Sequence, residues 1–215
     1  MRYTVEGMKI MALEFSTEAA SLALLEDGAV VASAAVDAGH RRSQGVFGAA
    51  AGLLKGAGWA LGEVGAFAVG RGPGSYTGLR VSLTAANGWA LPGSKPVWTV
   101  SSGAARAAEV FAERPETERV VAWGDARRGT IWAGLFGRGE GGGARQAGEW
   151  RVLPAEARGV EWPGAHWAGA ERPPQAAWVG RLWFAGGASE ELQPIYVHPA
   201  VVAAPRFDAD GKPLG

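Results

Sequence analysis

The residues with the most chemical promise form one run, Gly70-Arg71-Gly72-Pro73-Gly74-Ser75-Tyr76-Thr77-Gly78-Leu79-Arg80. A Gly-rich turn leading into a helix exposes backbone N–H groups at the helix N-terminus, and such groups attract an anion. Arg71 and Arg80 add positive charge, and Gly72, Gly74, Ser75 and Thr77 would shape the cradle. No Gly-Lys-Ser/Thr follows, so this is not a Walker loop, and the glycine spacing is not the dinucleotide fingerprint. On chemistry alone the run reads equally as a phosphate site and as a tight turn. A second cluster, Glu14-Phe15-Ser16-Thr17, sets an acid and two hydroxyls at the end of an apolar run. A third, Asp125-Ala126-Arg127, pairs opposite charges two residues apart, a spacing that also simply braces a turn. His40, His166 and His198 lack zinc-ligand spacing, and no serine sits in a Gly-x-Ser-x-Gly elbow. The chain contains no cysteine, which excludes disulfides, thiolate zinc sites, iron–sulfur clusters and a thiol nucleophile.

Those clusters need elements to position them. The apolar run Lys9–Glu14 predicts a buried strand; Ala20–Glu26 and Ala29–Val36, joined by Asp27-Gly28, predict a hairpin beside it. A helix is expected over Ser43–Ala57, with Val46, Phe47, Ala50, Leu53, Leu54 and Ala57 on its inner face. Gly45, Gly48, Gly52 and Gly56 line an adjacent stripe, suited to close approach of another backbone. A strand over Gly65–Gly70 then enters the Gly-rich turn. A second helix runs from Thr77 to Ala90 and stops at Pro92-Gly93. It carries two apolar stripes, Leu79/Leu83/Ala86/Ala90 and Val81/Ala85/Trp89, one for the sheet and one for a partner. A strand at Pro96–Val100 and a helix capped by Ser101 and ending near Glu113 complete the order β-β-β-α-β-α-β-α, a ribonuclease H-like pattern.

Beyond Arg114-Pro115-Glu116-Thr117 a second unit opens with a strand over Val120–Trp123, a turn over Gly124–Gly129 and a strand over Thr130–Phe136. It echoes the first unit as a weak internal repeat. Periodicity then fades in a Gly-, Pro- and Trp-rich stretch. The expected domains are residues 8–113 and a reduced second copy of the same unit at 118–203, giving an α/β fold of mixed sheets flanked by helices. The 215 residues hold 21 basic and 21 acidic side chains. A net charge of zero argues against gripping nucleic acid by bulk electrostatics. No apolar run is long enough to span a membrane, and no secretion signal is evident, so a cytoplasmic protein is expected.

Five segments carry a resemblance: Met11–Gly28, Ala66–Ala90, Pro96–Ser102, Trp123–Phe136 and Pro194–Pro199. In content and order they resemble the TsaB (YeaZ) family of tRNA threonylcarbamoyladenosine biosynthesis proteins, of the glycoprotease-like branch of the actin-like ATPase superfamily. The resemblance implies two ribonuclease H-like halves and a non-catalytic paralogue without the metal-binding histidines. It implies a partner, the catalytic subunit TsaD, with the ATPase TsaE joining the complex, tRNA met only through that complex, and a homodimer as another arrangement. The partner face would be the first two helices: Gly45, Gly48, Gly52 and Gly56 on one, Val81, Ala85 and Trp89 on the other.

In the superfamily an acid and small hydroxyls between the first two strands help hold a metal–phosphate group, which points to Glu14, Ser16 and Thr17 with Arg71, Gly72, Gly74, Ser75, Thr77 and Arg80. No intrinsic cofactor is expected; ATP or ADP with Mg at the joint face fits the resemblance. The chain departs from the family pattern in places. Glu14 replaces an Asp, which moves the carboxylate by roughly a bond length and speaks against ATP turnover. Arg42-Ser43 replaces a His-Ser pair, with His40 displaced, Val46-Phe47-Gly48 replaces an apolar-Pro step, and Tyr196-Val197-His198 replaces Tyr-Leu-Arg. Two other readings compete: an actin-like-fold ATPase or small-molecule kinase acting alone, and a stand-alone nucleotide-binding module.

Overall fold

The structure, a computed structural model, describes residues 6–36, 42–169, 171–189 and 191–197, together with the backbone at 206–207 and 213–214. His40 and His198 lie outside the described residues. The first sheet has five strands: β1 (Lys9–Glu14), β2 (Ala20–Glu26), β3 (Ala29–Val36), β4 (Ala66–Gly70) and β5 (Val97–Val100). Their spatial order is β3-β2-β1-β4-β5. The β1-β2-β3 meander is antiparallel, and β4 and β5 run parallel to β1. β1 and β4 sit centrally and are almost wholly buried, as continuous apolar runs covered on both faces must be.

The helices supply that cover. α1 (Arg42–Ala57) and α2 (Tyr76–Ala90) pack on one face, where Met11, Leu13, Phe67 and Val69 meet Val46, Leu53, Leu83 and Ala86. Ser75 caps α2 by accepting the Gly78 N–H at 3.2 Å. Ser101 caps α3 (Ser102–Glu113) through the Ala104 N–H at 3.2 Å.

The second sheet is built on the hairpin β6 (Arg119–Arg127) and β7 (Thr130–Arg138), with β8 (Ala144–Gln146) and β9 (Arg151–Pro154) on β7 and β10 (His166–Ala168) parallel to β6. An antiparallel hairpin with a parallel neighbour on its first strand repeats the centre of the first sheet. The turn expected over Gly124–Gly129 is shorter than that: β6 continues to Arg127 through a bulge, and the chain reverses at Arg127 and Arg128, at φ 70° and 53°. The N–H of Arg127 donates to Asp125 Oδ1 at 2.8 Å, so this acid braces the turn.

Between the two sheets runs one continuous core. Ile10, Ala12 and Ala68 of the first sheet share it with Val120, Ala122 and Phe136 of the second, through α3 and α4 (Ala176–Phe184). α4 follows the second sheet in sequence yet packs on the first. Its Ala176 N–H donates to Ser21 Oγ of β2 at 3.0 Å, and Gly180 lies where any side chain would strike Leu25. Sequence periodicity did not reveal α4, which is only 9 residues long and follows a Gly- and Pro-rich stretch. Tryptophans fill the second half: Trp150 lies across Gly103 and Gly134 and meets Trp132 edge-on.

Candidate functional site

β1 ends by turning Glu14 into the protein, 1% exposed. Its Oε1 accepts the Ser16 N–H at 2.7 Å, while Oε2 is buried without a hydrogen-bond partner. Burial pushes this carboxyl above the usual carboxylate range, against the opposing pull of the Ser16 and Ser102 hydroxyls and backbone donors. Ser16 Oγ and Thr17 Oγ1 are likewise buried without partners. Gly70 faces the carboxyl: a Cβ there would stand 2.7 Å from its Cδ and 2.9 Å from Ser102 Oγ, closer than real side chains come. The acid, the hydroxyls and the first glycine of the loop therefore do converge in one place.

Part of the loop's hydrogen-bonding capacity is used within the chain. The Ser75 N–H donates to Ser16 O at 2.7 Å, the Arg71 N–H to Val100 O at 2.9 Å and the Gly72 N–H to Ser102 Oγ at 3.0 Å. A side chain on Gly74 would collide with Ser16 O, and one on Gly78 with Phe15 O. The carbonyl oxygens of Phe15 and Ser16 thus sit against the glycines that would cradle a phosphate. Those oxygens bring partial negative charge to the Gly74 and Gly78 side of the loop, which disfavours an anion on that side.

The two arginines point elsewhere. Arg71 Nη1 pairs with Glu191 Oε2 at 2.7 Å. Arg80 lies over the Tyr76 ring, 3.8 Å from its centre, and its Nε donates to the Tyr196 hydroxyl at 3.4 Å. Glu191 and Tyr196 belong to a strap formed by residue 189 and residues 191–197. Thr99 N donates to Ser189 O and Ser189 N to Thr99 O, both at 2.8 Å, and Ile195 N donates to Arg71 O at 2.8 Å. The strap ties the end of the chain to β5 and to the Gly-rich loop. The site roles of Glu191, Tyr196 and Ser102 were not legible in the sequence because their partners lie far off in the chain; Arg80 and Tyr196 are 116 positions apart.

A second region is open. Between α1 and α2 runs a groove of about 380 Å³ lined by the apolar Val46, Phe47, Val81 and Ala85 and by Tyr76, Thr77, Arg80 and Thr84. Phe47, expected inside, is 55% exposed and meets Trp89 edge-on. Ala85, expected to face a partner, is 5% exposed; Val81 and Trp89 are half-buried. Gly48, Gly52 and Gly56 have open space where a Cβ would stand. Gly45 is half-buried. Among the described residues no group of three or more His, Asp and Glu could hold a metal ion, and no helix is long and apolar enough to cross a membrane. His166 lies on β10, and burial lowers its basicity.

A meander of β3-β2-β1 extended by parallel β4 and β5, helices on both faces, and a reduced second sheet repeating the hairpin define the actin-like ATPase fold class. Comparison with known proteins narrows this. Residues 36–204 match the family model described as TsaD, tRNA N6-adenosine threonylcarbamoyltransferase. The solved structure of YeaZ from Pseudomonas aeruginosa is 31% identical, with a TM-score of 0.74, covering 88% of this chain and 100% of that one. The chain is 35% identical over 135 residues to the tRNA threonylcarbamoyladenosine biosynthesis protein TsaB of Escherichia coli (strain K12), covering 63% of this chain and 58% of the relative. The Haemophilus influenzae protein of the same name is 35% identical over 128 residues, covering 60% and 53%. The matches to these two curated relatives thus span little more than half of their lengths. The chain belongs to the TsaB (YeaZ) family.

Proposed function

We propose that this chain is a non-catalytic partner subunit in the formation of threonylcarbamoyladenosine on tRNA. It binds and orders a TsaD-type catalytic subunit through the α1–α2 face, with a TsaE-type ATPase and the tRNA meeting it only in the larger complex in the cytoplasm. One observation carries this reading. The chain's own Phe15 and Ser16 carbonyls press on the loop that would hold a metal–phosphate group, while the helix pair beside it presents an open apolar groove. Burial raises the Glu14 pKa and so makes its charged form costlier, which supports the absence of ATP turnover by this subunit. Phe47, exposed on the groove, supplies the kind of aromatic anchor that interfaces favour.

The test is an omission assay. Threonylcarbamoyl transfer to tRNA is reconstituted from the same organism's TsaC-, TsaD- and TsaE-type proteins, with and without this chain, and modified adenosine is followed by mass spectrometry. Modification is expected to require the chain. Equal modification without it overturns the subunit reading and leaves ATP turnover by the isolated chain as the hypothesis to test. Gly52→Leu, a side chain placed on the open face of α1, should block pairing with the TsaD-type protein while the monomer melts no lower than the wild type. Unchanged pairing would remove α1 from the interface.

A further inference from the structure

The α1 and α2 sequences carry Arg42, Lys55 and Arg80 and not one Asp or Glu, in a chain whose net charge is zero. The groove they form is apolar with a basic residue, Arg80, on its lining. Among the described residues lining that groove, only Arg80 is charged. A long, mobile cation at a surface normally loses side-chain freedom when it pairs, which erodes its contribution. Arg80 has surrendered much of that freedom already. Its guanidinium lies 3.8 Å from the centre of the Tyr76 ring, its Nε reaches the Tyr196 hydroxyl, and the two tyrosine rings pack on each other at 5.3 Å. No acid engages it among the described ion pairs, unlike Arg71, which has Glu191. The stack holds an exposed guanidinium in place with no acid against it among the described residues.

We propose that Arg80 is the ionic anchor of the α1–α2 face, that it takes a carboxylate on an apolar, acidic helical surface of the partner, and that Tyr196 of the C-terminal strap is its positioning residue. This rests on the reading of that face as the site for a TsaD-type subunit and adds the chemistry that selects the partner. A second copy of this chain is a poorer occupant, since two such faces would bring basic side chains together without an acid between them. The strap couples recognition to the far end of the chain: Ser189, Glu191 and Ile195 pin it to β5 and the loop, and Tyr196 reaches α2 from there.

The experiment titrates the full-length chain into the TsaD-type protein of the same organism, at about 50 and about 500 mM salt, where screening of an exposed pair differs strongly. Wild-type affinity should fall with salt. Arg80→Gln should weaken binding roughly tenfold at low salt and flatten the salt dependence. Arg80→Lys, which keeps the charge but not the planar fork, should lose only roughly threefold. Tyr196→Ala should lower the association rate and soften the salt dependence while leaving residue 80 intact. Arg80 and Tyr196 are surface-exposed, so the variants should melt with the wild type. If Arg80→Gln binds as tightly as wild type with the same salt slope, the anchor is overturned and the subunit reading stands. If the wild-type chain forms no complex, both fall. Self-association through this face tighter than partner binding overturns the assignment of the occupant.

Discussion

Glycines punctuate both α1 and the loop leading into α2, yet a methyl group added to each would meet opposite surroundings. On α1, Gly48, Gly52 and Gly56 look onto open space. At the loop, Gly70, Gly74 and Gly78 press on Glu14, Ser16 and Phe15 so closely that no side chain fits. Both sets look alike in the sequence as residues chosen for close approach. In the loop the approaching backbone is the chain's own β1–β2 turn, and the site is sealed. On α1 nothing within the described chain approaches, and the face stays available. A glycine pattern therefore signals that contact is possible and says nothing about whether the contact is internal or external.

The sharpest way to break this comparison is Gly78→Ala. The added methyl meets the Phe15 carbonyl, a backbone atom that cannot swing aside, so the fold should lose about 3 kcal/mol in urea denaturation. A change within about 0.5 kcal/mol would show that the loop is not sealed. Next in size is Phe47→Ala on the open side. Its side chain is 55% exposed, so folding stability should drop by less than about 1 kcal/mol, mainly through the lost edge contact with Trp89. Affinity for the TsaD-type protein, read by calorimetry, should fall roughly tenfold.

Glu14→Gln sharpens the sealed side. Burial raises the folded-state pKa of Glu14 above its unfolded value. Between those two values the folded state holds the extra proton, so wild-type stability declines as pH rises through that window. The amide cannot titrate. Its advantage should therefore be absent at the acidic end and grow with pH to about 1 kcal/mol, measured as a melting-temperature difference across a pH series. A stability gain that shrinks as pH rises would mean that Glu14 is held as a carboxylate. The smallest effect belongs to Gly52→Ala, which should stabilise the monomer by about 0.5–1 kcal/mol because an exposed helical glycine gives up backbone freedom for nothing.

Much of the first half was legible in the sequence. The runs Lys9–Glu14, Ala20–Glu26 and Ala29–Val36 are the observed strands, and the Ser75 and Ser101 caps announce α2 and α3. These are local signals: apolar continuity, a two-residue hairpin and an oxygen placed for a helix N–H. The second half was less legible. β9, β10 and α4 are short, and Trp150 fits only because Gly103 and Gly134 leave room for it from distant elements.

The candidate site divides along the same line. Residue types and spacing alone determined that an acid with neighbouring hydroxyls would close β1, that a glycine-rich turn would open α2, and that α1 and α2 would be free of acids. Those are properties of short stretches, set by side-chain chemistry and helix and strand periodicity. Whether the turn would cradle an anion or the chain's own carbonyls, whether Phe47 would face in or out, and which groups would hold Arg71 and Arg80 were decided only in the folded molecule. Each of those depends on where β1, β5 and the strap lie relative to the loop. Close packing across more than a hundred residues of chain sets those positions to fractions of an ångström, a scale that local sequence cannot encode.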